Sequence, residues 1–202
     1  QQKADQLWSL IEPFAAYGFN KAHAASYGRV AYQTAYMKAN FPVEYMSAVL
    51  TADSGDVEKI SEIIHECERM DIEVLPPDIN ESFADFSVVP GKNTIRFGLA
   101  TIKNFGAGIT EIIVEERKKN GPYASLQDFL TRIHDRNLNK KSLEALICAG
   151  AFDNFADRAQ LYGNLDTLLS YNREHVAGKE ASQDSLFASV GSVSDLKLEP
   201  TD

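Results

Sequence analysis

The chain has 202 residues, 44% of them hydrophobic and 24% charged, with a formal net charge of −9. That length suffices for one large domain or two small ones with a sizeable core, and the acidic balance excludes a generally basic nucleic-acid binder. No apolar run approaches the roughly 18–20 residues that cross a bilayer, which excludes a helical membrane protein.

Helical patterns fill the first 75 positions. Leu7, Trp8, Leu10 and Ile11 predict a helix over 4–12. A long Ala- and Tyr-rich helix is expected over 21–40. It should stop before Phe41-Pro42, because proline cannot continue a helix but can open the next one. That next helix is predicted to reach about Thr51. Val57, Ile60, Ile63, Ile64 and Cys67 predict one apolar face of a helix over 56–70.

A short strand at 72–75 is stopped by Pro76-Pro77, and 86–89 with 94–98 reads as a hairpin around Pro90-Gly91-Lys92-Asn93. Helical signals resume at Leu99, and further helices are predicted over 109–120, 125–132, 140–149 and 158–177. From Gly178 the chain turns Ser-, Ala-, Gly- and Asp-rich, a composition that suits a linker. Cys67 and Cys148 form no metal or disulfide pattern. Both are expected to be buried thiols in a reducing cytoplasm. The two ends, Gln1 and Leu198-Glu199-Pro200-Thr201-Asp202, suggest a piece of a longer protein.

Charge is unevenly distributed. Residues 1–90 carry 6 basic and 14 acidic side chains, 91–150 carry 10 and 6, and 151–202 carry 4 and 9. A phosphate-contacting surface is therefore expected in the middle segment. There, Lys103-Asn104-Phe105-Gly106-Ala107-Gly108-Ile109 has the form of a helix-hairpin-helix. Glycine supplies a positive φ for the tight turn and lets a phosphate approach the backbone. The amides opening the following helix point outward at the positive end of its dipole. Phe105 and Ile109 should anchor the two helices, and Lys103 adds charge. A corner with glycines for geometry alone is the competing reading. A second candidate spans 138–152, where Lys140 and Lys141 could meet phosphate. It has one glycine, Gly150, and the structural and functional readings are evenly matched.

Tyr17-Gly18-Phe19-Asn20-Lys21-Ala22-His23 puts an aromatic, a lysine and a histidine at one helix start. Aromatics stack on bases, and cations there meet phosphates. Taken in order with Ala31-Tyr32-Gln33-Thr34-Ala35-Tyr36-Met37-Lys38, Leu75-Pro76-Pro77-Asp78-Ile79-Asn80, Arg96-Phe97-Gly98-Leu99 and Gly150-Ala151-Phe152-Asp153, it resembles the bacterial replicative DNA polymerase III alpha subunits, the C-family polymerases. The resemblance covers about residues 10–190.

The resemblance implies a mainly α fold with a small β-hairpin. Residues 1–80 would be the C-terminal part of the fingers domain. Residues 81–177 would be the β-hairpin and a tandem helix-hairpin-helix, and 178–202 a flexible linker. It implies that Tyr17 lies against the incoming deoxynucleoside triphosphate, that His23 contacts its phosphates, and that Lys21 is a further phosphate contact. Duplex contacts would come from Lys103, Asn104, Gly106, Ala107, Gly108, Lys140 and Lys141. Ala22 departs from the common Ser, Asn104-Phe105 from a Gly-Val pair, and Ala107 from Glu. The two flanking glycines remain.

The family's catalytic carboxylates form an Asp-x-Asp element in the palm, and this sequence contains none. No catalytic residue, metal ligand or cofactor is therefore expected within the chain, and Mg2+ belongs to the palm of the full-length enzyme. Gln183-Asp184-Ser185-Leu186-Phe187 has the form of a sliding-clamp docking peptide, with Leu186 and Phe187 as anchors and Gln183 bonding at the pocket edge. Asp184 departs from the Leu often found second. Expected partners are primer-template DNA, the nucleotide, the clamp and other replicase subunits, in the cytoplasm and without a membrane. The alternatives are a non-enzymatic helix-hairpin-helix DNA-binding adaptor and a helical scaffold with no DNA role.

Overall fold

The computed structural model describes residues 1–16, 20–182 and 196–200. The chain divides into two compact units, Gln1–Tyr45 and Met46–Asp202. In the first, α1 spans Gln2–Ala16 and α2 spans Lys21–Asn40. The α2 start is set locally: the Asn20 side chain accepts the His23 amide at 3.0 Å, satisfying one of the helix's orphan donors. Its end is set by Phe41-Pro42, and Pro42 opens α3 (Pro42–Ala52) as the sequence predicts. No α2 residue is buried. Trp8, Leu10, Tyr27 and Tyr32 are all more than half exposed.

In the second unit, α4 (Val57–Arg69) is capped by Asp56 through the amides of Glu58 and Lys59. Ile60 and Cys67 of its apolar face are buried, but Val57 is 73% exposed, so the face is one turn shorter than its pattern suggests. Three strands follow: β1 (Glu73–Leu75), β2 (Ser87–Val88) and β3 (Thr94–Arg96). The expected hairpin is β2–β3, with Val88 opposite Ile95. The strand before the prolines docks parallel on β3, with Val74 opposite Ile95, so the order is β1-β3-β2. Ile95 is the fully buried centre.

Gly98 follows this sheet at φ −78°, a backbone any residue adopts. Its requirement is steric. A Cβ there would overlap the Ala84 carbonyl oxygen and lie 2.7 Å from that of Asp85. Gly98→Ala is expected to destabilise the unit by about 2 kcal/mol or more through forced backbone separation. A lower urea midpoint at unchanged slope would report it.

The core is helical. It is built from α5 (Ala107–Asn120), α6 (Leu126–Arg132), α7 (Lys140–Ala149), α8 (Arg158–Gly163) and α9 (Leu165–Ser182). Leu143, Leu146 and Ile147 of α7 repeat at helical spacing and are buried. Phe129 meets Tyr123 and Phe152 edge-on, both with centroids 5.1 Å apart. Cys67 is buried as expected, whereas Cys148 is exposed. It sits one position past Ile147, about 100° round the helix and off the apolar face. The single helix expected over 158–177 is two, broken at Asn164. The backbone of α9 runs past Gly178 to Ser182, into the expected linker.

Loop 78–82 ties these helices together. Asp78 Oδ1 accepts the amides of Asn80 (2.7 Å) and Glu81 (2.9 Å), and its Oδ2 accepts Asn154 Nδ2 at 2.6 Å. Asn80 pairs reciprocally with the Tyr123 backbone: Nδ2 donates to the carbonyl at 2.9 Å, and Oδ1 accepts the amide at 2.8 Å. The Ile79 amide donates to Ala151 O at 2.9 Å. The Leu75–Asn80 stretch quoted above is thus a packing hub reaching both hairpins.

Candidate nucleic-acid interface

The first hairpin connects a three-residue 3-10 turn, Leu99–Thr101, to α5. The left-handed residue expected of its glycines is Asn104, at φ 68°. Asparagine tolerates that region because its short polar side chain bonds locally. Gly106 is instead the α5 N-cap at φ −90°, ψ 152°, with no side-chain cap. The α5 first turn holds no acidic residue. The first helical bond there is Thr110 N–H to Gly106 O at 3.3 Å, so the amides of Ala107, Gly108 and Ile109 are the helix's orphan donors.

A Cβ on Gly106 or Gly108 would meet nothing within 4 Å. Neither packing nor a positive φ therefore requires glycine at these two positions. Lys103, Asn104, Gly106, Ala107 and Gly108 are exposed, while Phe105 and Ile109 are 5% and 1% exposed in the core. The sequence-predicted residues are thus brought together at one uncapped, electropositive helix start.

The second candidate is built differently. Asn139 caps α7 through the amides of Lys141 (3.0 Å) and Ser142 (3.2 Å), and Ser142 Oγ accepts the Asn139 amide, completing a capping box. Lys140 pairs with Asp166 at 2.7 Å, and this bond raises its pKa. Lys141 stays exposed. Gly150 has φ 85° and closes α7, but its outer side is occupied by the Arg158–Asp153 ion pair. Asp157 fills the amides that open α8. Here the polar backbone is already satisfied by the chain's own side chains.

The basic middle segment is also less available than its count suggests. Arg96 is held by Glu81 and the Pro76 carbonyl. Arg117 is 8% exposed and donates to the carbonyls of Ile79 (2.8 Å) and Ser82 (2.9 Å). Burial lowers its pKa, against the nearby Tyr123, Asp78 and Glu81, though a guanidinium stays charged at any ordinary pH.

Arg132 bonds Glu116 (3.1 Å), Asp128 (3.0 Å) and Gly121 O (2.8 Å), with its guanidinium 4.4 Å from the Tyr123 ring centre. Lys118 lies over Phe83. Lys92, Lys103, Lys119, Arg136 and Lys141 remain exposed and outside the ion pairs found among the described residues. Sequence reading missed the hub roles of Asp78, Asn80 and Arg117. The signal for Asp78 was its side chain's tendency to bond its own backbone two residues on.

In the first unit, Lys21 and His23 occupy the exposed first turn of α2. The His23 ring leans on Tyr27, centroids 4.3 Å apart. Tyr17 lies outside the described residues, as do Gln183, Leu186 and Phe187. Among the described residues no group of three or more His, Cys, Asp or Glu is placed to hold a metal ion. None of their helices is long and apolar enough to cross a membrane.

A family model described as a helix-hairpin-helix motif matches residues 71–161, taking in the small sheet, the hub loop and both hairpins. The chain is 43% identical over 202 residues to the DNA polymerase III subunit alpha of Thermus aquaticus, covering all of this chain and 16% of that protein. It is 44% identical over 190 residues to the protein of that name from Borreliella burgdorferi, covering 94% of this chain and 16% of that one. With the Deinococcus radiodurans protein it shares 44% over 169 residues, 84% of this chain and 12% of that one. The chain thus spans about an eighth to a sixth of these curated relatives, and over its whole length it is the counterpart of one segment of the DNA polymerase III alpha subunits.

Proposed function

We propose that this chain is a gripping segment of a replicative DNA polymerase, supplying sequence-independent duplex binding to template-directed DNA synthesis. The observation carrying this reading is the uncapped α5 start, where three orphan amides, two unobstructed glycines and Lys103 face outward. A phosphate there needs no induced fit, and backbone amides cannot distinguish one base from another. In this reading 1–80 closes the fingers, 81–177 is the duplex-binding domain, and 178–202 carries the clamp-docking motif.

Tyr17, Lys21 and His23 serve the incoming nucleotide, with Lys21 and His23 on the open first turn of α2. Gln183, Leu186 and Phe187 serve the clamp. The phosphoryl transfer and its Mg2+ belong to carboxylates outside this chain, and other replicase subunits assemble on the whole enzyme in the cytoplasm. Of the two hairpins, the first is the phosphate site. At the second, Lys141 alone of the two lysines is unpaired, and its contribution is minor.

Duplex affinity is expected to fall steeply between about 50 and about 200 mM salt as condensed counterions are released. Lys103→Ala should reduce the slope of log affinity against log salt by about one contact. Salt-independent binding, or an unchanged slope in the variant, would overturn the assignment.

A further inference from the structure

Asn164 separates α8 from α9 and is 4% exposed. Its backbone bonds both helices at the junction. The amide donates to Gln160 O and Leu161 O, both at 3.2 Å, and the carbonyl accepts Leu168 N–H at 3.0 Å. The side chain adds one bond to α8 and reaches beyond it. Oδ1 accepts the Glu199 amide at 2.9 Å, and Nδ2 donates to the Glu199 carbonyl at 2.9 Å as well as to Gln160 O at 2.8 Å.

One buried amide therefore pairs with both backbone groups of a residue 35 positions later. On the way, Leu196 and Leu198 are partly buried against the core while Lys197 between them is exposed, the period-two alternation of extended chain. The two leucines border a hollow of about 310 Å³ lined also by Leu126, Asn154 and Phe155. Apolar side chains go in, charged ones stay out, and the backbone is bonded directly. These are the features by which a groove holds an extended peptide.

We propose that residues 196–199 are a latch and Asn164 its receptor, fastening the chain that follows α9 back onto the helix-hairpin-helix unit. Leu196 is thereby held on the same helical core as α9, which runs to Ser182. Resting on the clamp-docking reading above, this has a consequence. A motif tethered at both ends samples less space than one on a free tail, so a partner docked on it is held beside the surface that grips the duplex.

The latch is tested by amide hydrogen exchange on the full 202-residue chain. The Glu199 amide is expected to be protected, and Asn164→Ala to speed its exchange about tenfold or more, with Ile113 and Leu146 unchanged. Exchange of Glu199 at the rate of unstructured chain in the unsubstituted protein, or protection surviving Asn164→Ala, would overturn the latch.

Should Asn164→Ala also release the core amides, the double variant Leu196→Ser, Leu198→Ser decides. It spares the α8–α9 junction and is expected to free Glu199 alone, and retained protection there sinks the proposal. Clamp affinity measured in parallel separates the two readings. No clamp binding by the unsubstituted chain removes the docking reading and leaves the exchange result to stand. Binding that the latch variants leave unweakened removes the tethering consequence.

Discussion

Gly106→Glu is expected to lower duplex affinity about tenfold or more while leaving the fold intact. The backbone at Gly106 lies in the extended region, and nothing within 4 Å meets a new Cβ, so the substitution introduces no strain. A carboxylate at this N-cap would do three things at once. It would cover the orphan amides, cancel the positive end of the α5 dipole, and repel phosphate at close range. The first two effects stabilise the helix by several tenths of a kcal/mol or so, so thermal unfolding should hold steady or rise slightly. Fluorescence anisotropy with a labelled duplex at low salt, beside a thermal melt, reads both quantities. Equal affinity in variant and parent would remove the hairpin from the interface.

Arg117→Met is expected to produce the reverse pattern, a loss of stability of about 3–5 kcal/mol. The guanidinium is the only partner found for the carbonyls of Ile79 and Ser82 that reaches from α5, and it sits 5.5 Å from the Phe83 ring centre. Methionine fills comparable volume but leaves two buried carbonyls facing an apolar side chain, and the hub loop loses its tie to α5. Lys119→Met, two positions on and exposed, should cost nearly nothing. Urea denaturation of the pair provides the comparison. Equal midpoints would mean that Arg117 is a surface charge after all, and that the middle segment's basic residues act as the bare count suggests.

Much of this molecule follows from short-range rules. The limits of α2 and α7 come from Asn20, Pro42, Asn139 and Gly150, each acting within four residues of its own position. The β2–β3 hairpin follows from two β-prone runs around Pro90-Gly91. The Gly106–Gly108 hairpin was legible for the same reason, since a helix start and its open backbone are local. Clamp and nucleotide assignments rested on motif resemblance rather than on geometry.

Long-range pairing was not legible. Which arginines are buried depends on where loop 78–82 crosses α5, a separation of 38 residues for the Arg117–Ile79 bond. What the Asn164 side chain bonds depends on Glu199, 35 positions later. A Gly163-Asn164 pair inside a helical pattern is a signal for a break, but not for its partner. Periodicity puts Val57 on a buried face and an apolar helical context does the same for Cys148, but neither gives the extent of the surface opposing a side chain.

The sequence by itself determined the helices, the hairpin, the family resemblance and the bare helix start at Gly106, because caps, prolines, glycines and periodicity act through neighbouring residues. Only the tertiary structure decided which basic side chains remain exposed near it. Burial is a property of opposed surfaces, and it turned Arg96, Arg117 and Arg132 into internal ties while leaving Lys103 beside Gly106 in the open.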